Sequence, residues 1–225
     1  MKDNYIVATF YIVQIIAVCI STYYAIRLLR LKNVQINLKF FAFYPILTIS
    51  IAIPSIIHDF AIKDLRSIKN VLENVTLLLH ISLIGYFVYT CLNRRLLRRI
   101  YFIVLSSFQL IVIIYLSSID LTKKNFFAFA ITNFGLIILT LFYFIEIFIN
   151  PPILKLIEEP HFWIVTGVFF SMSLSIPFFA TYKVIMGRNG EFIQTLVGAS
   201  VALSFIIMHL FFVKGFKCSI KNHNK

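Results

Sequence analysis

The chain lacks the motifs by which soluble enzymes and small secreted proteins are usually recognised. Its three cysteines, Cys19, Cys91 and Cys218, are scattered and show neither Cys-x-x-Cys nor Cys/His spacing. This excludes a disulfide framework and gives no sign of a zinc site. The His-Glu-x-x-His of metalloproteases, the Gly-x-Ser-x-Gly nucleophile elbow and the phosphate-binding P-loop are also missing. We therefore predict no catalytic residues, no cofactor and no bound metal.

The sequence also lacks any sign of a division into domains. No Gly/Ser linker, low-complexity tract or clear internal repeat interrupts its 225 residues. No stretch is long enough to form a separate soluble domain beside the segments described next. We predict one domain over residues 1–225.

Charged residues are absent from seven long stretches, and these stretches indicate the class of protein. Each contains 19 to 22 residues without Lys, Arg, Asp or Glu. At about 1.5 Å per residue, roughly 20 helical residues cross a hydrocarbon core of about 30 Å. Runs of this length without period-2 alternation predict helices, so we predict an all-α integral membrane protein, a bundle of seven transmembrane helices. The predicted crossings are residues 5–26, 40–58, 74–93, 100–119, 126–145, 161–182 and 192–213.

The overall composition supports the same class. Hydrophobic residues make up 60% of the chain and the mean hydropathy is +0.91, whereas soluble domains contain about 45–50% apolar residues. A net charge of +12 is compatible with nucleic-acid binding, but no basic domain exists to carry that function. In a membrane protein, Lys and Arg lie in loops, where they set the topology and contact lipid phosphates. We therefore expect a lipid bilayer, and no nucleic acid, as the partner.

Basic residues are unevenly distributed between the two sides of the predicted bundle. The connections after crossings one, three, five and seven contain 13 Lys and Arg, and the other side contains 8. The positive-inside rule then places the N-terminus outside and the C-terminus in the cytoplasm.

Polar residues inside predicted crossings are the first candidates for a binding site. His80 and Asn133 are predicted about 9–10 Å below the outer surface, and Gln14 and Gln109 near the midplane. These side chains suggest an outward-facing pocket for a small molecule or lipid. The same residue types also form hydrogen bonds between helices, so both roles remain open. The ligand-binding candidates are His80, Asn133, Gln14, Gln109, and, at the rim, His58 and Asp59.

Two further sets of residues are predicted near the cytoplasmic face. Glu146 and His209 share a level and are candidates for a polar pair or proton relay, unless Glu146 simply reaches interfacial water. The densest basic cluster contacts either a cytoplasmic partner or an anionic lipid, or else only anchors the topology. This cluster consists of Arg94, Arg95, Arg98 and Arg99.

The segment Glu159-Pro-His-Phe-Trp-Ile-Val-Thr-Gly167 resembles a Pro-x-Phe-Trp-Ile…Gly pattern of uncharacterised small seven-helix bacterial inner-membrane proteins. The layout of the whole chain is compatible with that group, although the second crossing here contains no acidic residue. The resemblance implies an inner-membrane location and a membrane signalling protein, such as a histidine kinase, as the partner. It supplies no catalytic residues.

These observations favour a non-enzymatic sensory or accessory protein. The alternatives are a small transporter, which needs polar groups at the midplane such as Gln14 and Gln109, and an intramembrane enzyme built on Glu146 and His209. The ligand and the oligomeric state do not follow from the sequence.

Overall fold

Helices account for nearly all of the chain that the computed structural model describes, which comprises residues 2–32, 34–50, 66–123, 125–151, 155–186 and 190–223. A short 3₁₀ turn, Leu156–Glu158, precedes the seventh helix. The helices, in chain order, are α1 (Lys2–Leu29), α2 (Ile36–Phe41), α3 (43–50), α4 (Arg66–Cys91), α5 (Arg95–Ser117), α6 (Phe126–Ile149), α7 (Pro160–Met186) and α8 (Gly190–His223).

Six of the described helices, α1 and α4 to α8, are long and apolar enough to cross a membrane. Their apolar segments contain 20 to 27 residues with mean hydropathies of 1.7 to 2.2. By helix length and composition, the chain is a multi-pass membrane protein. The predicted crossing 40–58 is described only to residue 50, where α2 and α3 form the shorter apolar segment Ile36–Ser50. Residues 51–58 of that crossing lie outside the described residues.

Large apolar side chains cover much of the outer surface of these helices. Phe148 is 91% exposed, Tyr23 60% and Phe102 59%. Extensive exposed apolar surface is unfavourable in water, whereas lipid covers it without cost. The surface therefore agrees with the hydropathy of the helices.

Two of the helices continue well beyond the charge-free runs of the sequence. Helix α4 begins at Arg66 rather than near residue 74, and α8 extends to His223 rather than ending near residue 213. Long basic side chains reach the interface from helical positions, so a charge does not end a helix. Consequently His80 and His209 both lie near the middle of their apolar segments, Ile68–Cys91 and Val197–His223.

Helix α8 packs between α1 and α7, and α6 connects α7 with α4 and α5. Two glycines bring α7 and α8 into close contact. A Cβ atom at Gly167 would lie 2.5 Å from Cβ of Phe211, and one at Gly215 would lie 2.9 Å from the carbonyl oxygen of Pro160. Small residues commonly allow this approach of helix backbones in membranes.

An aromatic cluster fixes α2 at one end of the bundle. The Phe41 ring lies 4.4 Å from the ring of Phe87 in α4 and 5.0 Å from that of Phe212 in α8, centroid to centroid. All three side chains are buried, and such aromatic pairs add about 0.5–1.5 kcal/mol beyond their burial. This contact holds α2 beside the C-terminal turns of α4.

The connections after α1, α4 and α6 meet at this same end, together with the last turns of α8. Asn222 donates to the Glu158 carbonyl at 3.1 Å, and Arg94 donates to Asn150 at 3.4 Å. We call this end the basic end. Its basic residues include Arg27, Arg30, Lys32, Lys39, Arg94, Arg95, Arg98, Arg99, Lys155, Lys214, Lys217 and Lys221.

At the opposite end, the α5–α6 connection is held by α4. Asn74 donates to the carbonyl oxygens of Leu121 and Lys123, at 2.9 and 3.0 Å. Within the connection, the hydroxyl and amide of Thr122 donate to the carboxylate of Asp120 and lower the pKa of that carboxyl group.

Candidate functional site

Two of the predicted ligand contacts form hydrogen bonds between helices. Asn133 of α6 donates to the Ser175 hydroxyl of α7 at 2.8 Å, and Gln109 of α5 donates to the Ser82 hydroxyl of α4 at 3.0 Å. These bonds belong to different helix pairs. Both side chains therefore form hydrogen bonds between helices, which was one of the two roles expected for them. A ligand-binding role for them stays a prediction.

The remaining outward candidates are not gathered around a described pocket. The half-buried ring of His80 lies 5.3 Å from that of Tyr44. Gln14 of α1 is half-buried, and its Oε1 has no hydrogen-bond partner among the described residues. His58 and Asp59 lie outside the described residues.

Glu146 and His209 each have a different partner. The His209 Nδ1 atom lies 2.8 Å from the Ser21 hydroxyl, and Asn150 donates to Glu146 Oε1 at 2.8 Å. Across the described ranges, no hydrogen bond joins Glu146 to His209.

A cavity of about 900 Å³ lies at the basic end, and Glu146 is part of its wall. The α1–α2 connection and α2 form one side of it, and the ends of α4 and α6 with the start of α7 form the other sides. This position follows from the meeting of three connections at that end. Its lining residues are Gln35, Ile36, Asn37, Phe40, Tyr86, Thr90, Cys91, Asn93, Tyr143, Glu146, Ile147, Asn150, Glu159 and His161.

A chain of hydrogen bonds fixes Glu159 in the cavity wall. The Asn37 oxygen accepts from the amide of Leu38 at 2.8 Å, so its NH₂ group faces His161 Nε2, 3.1 Å away. Nε2 is then the acceptor, and Nδ1 carries the hydrogen. Nδ1 lies 2.5 Å from Glu159 Oε1 and donates to it. The imidazole also stacks on Phe87, with centroids 5.6 Å apart, which holds the ring in place.

The second carboxylate of the cavity is only partly satisfied. Glu146 lies in the last turn of α6 and is 3% exposed. Asn150 bonds to its Oε1, whereas its Oε2 has no partner in the described part of the chain. A buried carboxylate oxygen without a donor is energetically costly. The arrangement leaves a buried hydrogen-bond acceptor beside the cavity.

The four predicted arginines surround the start of α5, beside this cavity. The Arg94 guanidinium donates to Asn150 Oδ1, and Arg98 lies over the Tyr89 ring at 4.7 Å from its centroid. Arg95 and Arg99 are exposed. Arg94 is thus linked through Asn150 to Glu146, while a partner or lipid contact for the cluster stays a prediction.

The cavity residues do not form a metal centre. In the described ranges, no group of three or more His, Cys, Asp or Glu side chains is arranged to hold a metal ion.

Sequence reasoning identified Glu146 but missed Asn37, Glu159 and His161 as members of one site. The available signal was the position of Glu159 and His161 in the Pro-x-Phe-Trp-Ile segment. A second signal was the scarcity of acidic residues among the basic connections, where only Glu146, Glu158 and Glu159 occur.

No family model, no curated protein and no solved structure matches the chain. What is established is a multi-pass membrane protein with six long apolar helices among its described residues and a cavity at its basic end.

Proposed function

We propose that the chain is a non-enzymatic sensory or accessory protein of a bacterial inner membrane, which binds a small molecule in the cavity at its basic end. The single observation that carries this proposal is the cavity itself: about 900 Å³ of space between four segments, with a buried, partly unsatisfied carboxylate in its wall. Concave sites with a few converging polar groups are where small ligands bind.

The cavity faces the cytoplasm in this proposal. The chain crosses the membrane seven times, with residues 40–58 as the second crossing, because that run has crossing length and contains no charged residue. With 13 Lys and Arg on the side of the basic end and 8 on the other, α1 begins outside and α8 ends in the cytoplasm.

An outward-facing pocket around His80, Asn133, Gln14 and Gln109 is less well supported than this cavity. Asn133 and Gln109 already donate to serine hydroxyls of neighbouring helices. A ligand would have to replace those bonds, whereas Oε2 of Glu146, buried beside the cavity, has no bond to lose.

The basic cluster provides a route from the cavity to a partner. Glu146, Asn150 and Arg94 form a continuous hydrogen-bonded chain from the cavity wall to the exposed start of α5. A ligand that binds Oε2 of Glu146 changes the charge and position of the carboxylate to which Asn150 donates, and hence the position of Arg94. The resemblance of the Glu159–Gly167 segment suggests a membrane signalling protein as the partner, and exposed Arg95 and Arg99 suit an acidic surface on it.

A thermal-stability screen tests the proposed binding site. Purified protein in nanodiscs is heated with a panel of metabolites, because a ligand that binds only the folded state raises Tm. The Thr90→Trp variant places a bulky ring in the cavity, and Thr76→Trp, elsewhere on α4, is the matched control.

We expect at least one compound to stabilise the unaltered protein and the Thr76→Trp variant but not Thr90→Trp. Stabilisation of all three proteins alike, or of none, contradicts the proposed cavity. Accumulation of the stabilising compound inside proteoliposomes would instead favour the transporter.

A further inference from the structure

We propose that the cavity binds a small organic cation, an amine or ammonium group, between the carboxylates of Glu146 and Glu159. The inference rests on the proposed function, because it takes the same cavity as the binding site. It adds the chemical class of the ligand, which follows from the charges, hydrogen bonds and aromatic rings of the wall.

Among the described residues, three acidic side chains lie at the basic end, namely Glu146, Glu158 and Glu159. Two of these three line the cavity, and no Lys or Arg is found among its described lining residues. Neighbouring carboxylates repel each other, and a cation placed between them removes that repulsion. The surrounding basic residues are mostly solvent-exposed, where salt screens charges beyond about 8 Å.

One oxygen of Glu146 is unsatisfied. The side chain is 3% exposed and lines the cavity, and its Oε2 has no donor among the residues that the structure describes. Arg94 donates to Asn150 and makes no hydrogen bond to this oxygen. An ammonium group in the cavity supplies a charge opposite to that of Glu146, and it becomes the missing donor once the side chain turns Oε2 toward the cavity.

Hydrogen bonds hold Glu159 in place. His161 donates to one of its oxygens, and His161 is itself oriented by Asn37 and by stacking on Phe87. The hydrogen bond from Nδ1 therefore fixes the position of the Glu159 carboxylate in the cavity wall.

Aromatic rings complete the site. Phe40 and Tyr86 lie edge to face with centroids 5.0 Å apart and are 39% and 49% exposed. Tyr143 lines the same cavity from α6. The faces of aromatic rings attract cations within about 6 Å, and this attraction is combined with carboxylates in sites for ammonium groups.

Binding of matched cations and neutral analogues tests the inference. The probes are 2-phenylethylamine with 2-phenylethanol, and 1,4-diaminobutane with 1,4-butanediol. Affinities are measured by calorimetry at pH 7 in nanodiscs of zwitterionic lipid, which limits adsorption of amines to the bilayer. The variants are Glu146→Gln and Glu159→Gln, with Glu158→Gln as the control that leaves both cavity carboxylates in place.

We expect at least one amine to bind, and its neutral analogue to bind about tenfold more weakly or worse. Glu146→Gln and Glu159→Gln should each weaken amine binding by a similar factor, and Glu158→Gln should leave it unchanged. The Tm of ligand-free Glu146→Gln should be unchanged or higher, because the substitution removes a partly unsatisfied buried charge. A Tm at or above that of the unaltered protein also shows that the variant is folded.

Binding that is equal for amine and alcohol, or unaffected by both substitutions, overturns the cation inference. Failure of both amines to bind also overturns it. If other metabolites still stabilise the unaltered protein but not Thr90→Trp, the proposed function survives and only the ligand class is wrong.

Discussion

Ser21 of α1 and His209 of α8 are 188 residues apart in the sequence, yet the Ser21 hydroxyl lies 2.8 Å from the His209 Nδ1 atom. Both side chains are fully buried. The Ser21 hydroxyl also donates to the Val18 carbonyl at 2.9 Å, so its oxygen accepts from the Nδ1–H group of His209. One hydrogen bond thus joins the first helix to the last.

We expect Ser21→Ala to destabilise the protein by about 0.6–1.7 kcal/mol, the range for hydrogen bonds between membrane helices. Ser204→Ala is the matched control, because Ser204 is equally buried but bonds only to Val201 within its own helix. Unfolding in mixed micelles with increasing dodecyl sulfate measures the stability of both variants. Equal losses of stability in the two variants would show that the hydrogen bond to His209 does not contribute to the stability of the protein.

The close contact of α7 and α8 gives a second prediction. Gly167→Ala should destabilise the protein by about 1–3 kcal/mol, because the new methyl group overlaps the Cβ atom of Phe211 and approaches the Met208 carbonyl. Gly85→Ala is the comparison, since its Cβ would meet only the flexible end of Leu105. The loss of stability in Gly85→Ala should be smaller, because Ala favours a helix by roughly 1 kcal/mol over Gly and this gain offsets part of the loss. The same unfolding assay tests whether Gly167→Ala is less stable than Gly85→Ala.

A third prediction separates packing from ligand binding at Asn133. Asn133→Ala removes the bond to Ser175 and should lower stability by about 0.6–1.7 kcal/mol. It should leave the affinity of the basic-end cavity for its ligand unchanged, because Asn133 is not among the residues that line it. Calorimetry on the variant, with the compound that binds the unaltered protein, measures this. Loss of binding without loss of stability would restore Asn133 as a ligand contact.

The class of fold could be predicted because lipid imposes a simple rule on sequence. A crossing needs about 20 apolar residues, and this requirement is visible as a run without charges. The limits of α4 and α8 could not be predicted in the same way. Their helices continue through Lys69 and Lys214, since backbone hydrogen bonding along a helix does not stop at the edge of the lipid.

The candidate site was only partly predictable, because the cavity depends on which connections meet in space. Glu146 was identified from its place in an apolar run. Nothing local to Asn37 or Glu159 shows that His161 will join them, since Asn37 and His161 are 124 residues apart. Asn133 shows the opposite difficulty: a polar residue in a crossing has the same appearance in sequence whether it binds a ligand or a serine.

The most direct test of the account asks on which side of the membrane the cavity lies. Asn93 is exposed at the cavity, and Ser118 is exposed at the opposite end. Asn93→Cys and Ser118→Cys are each made after Cys19, Cys91 and Cys218 have been changed to Ser, and a membrane-impermeant maleimide is added to right-side-out and inside-out vesicles. We predict that Asn93→Cys is labelled only in inside-out vesicles and Ser118→Cys only in right-side-out vesicles. Labelling of Asn93→Cys from the outside would contradict a cavity that opens to the cytoplasm.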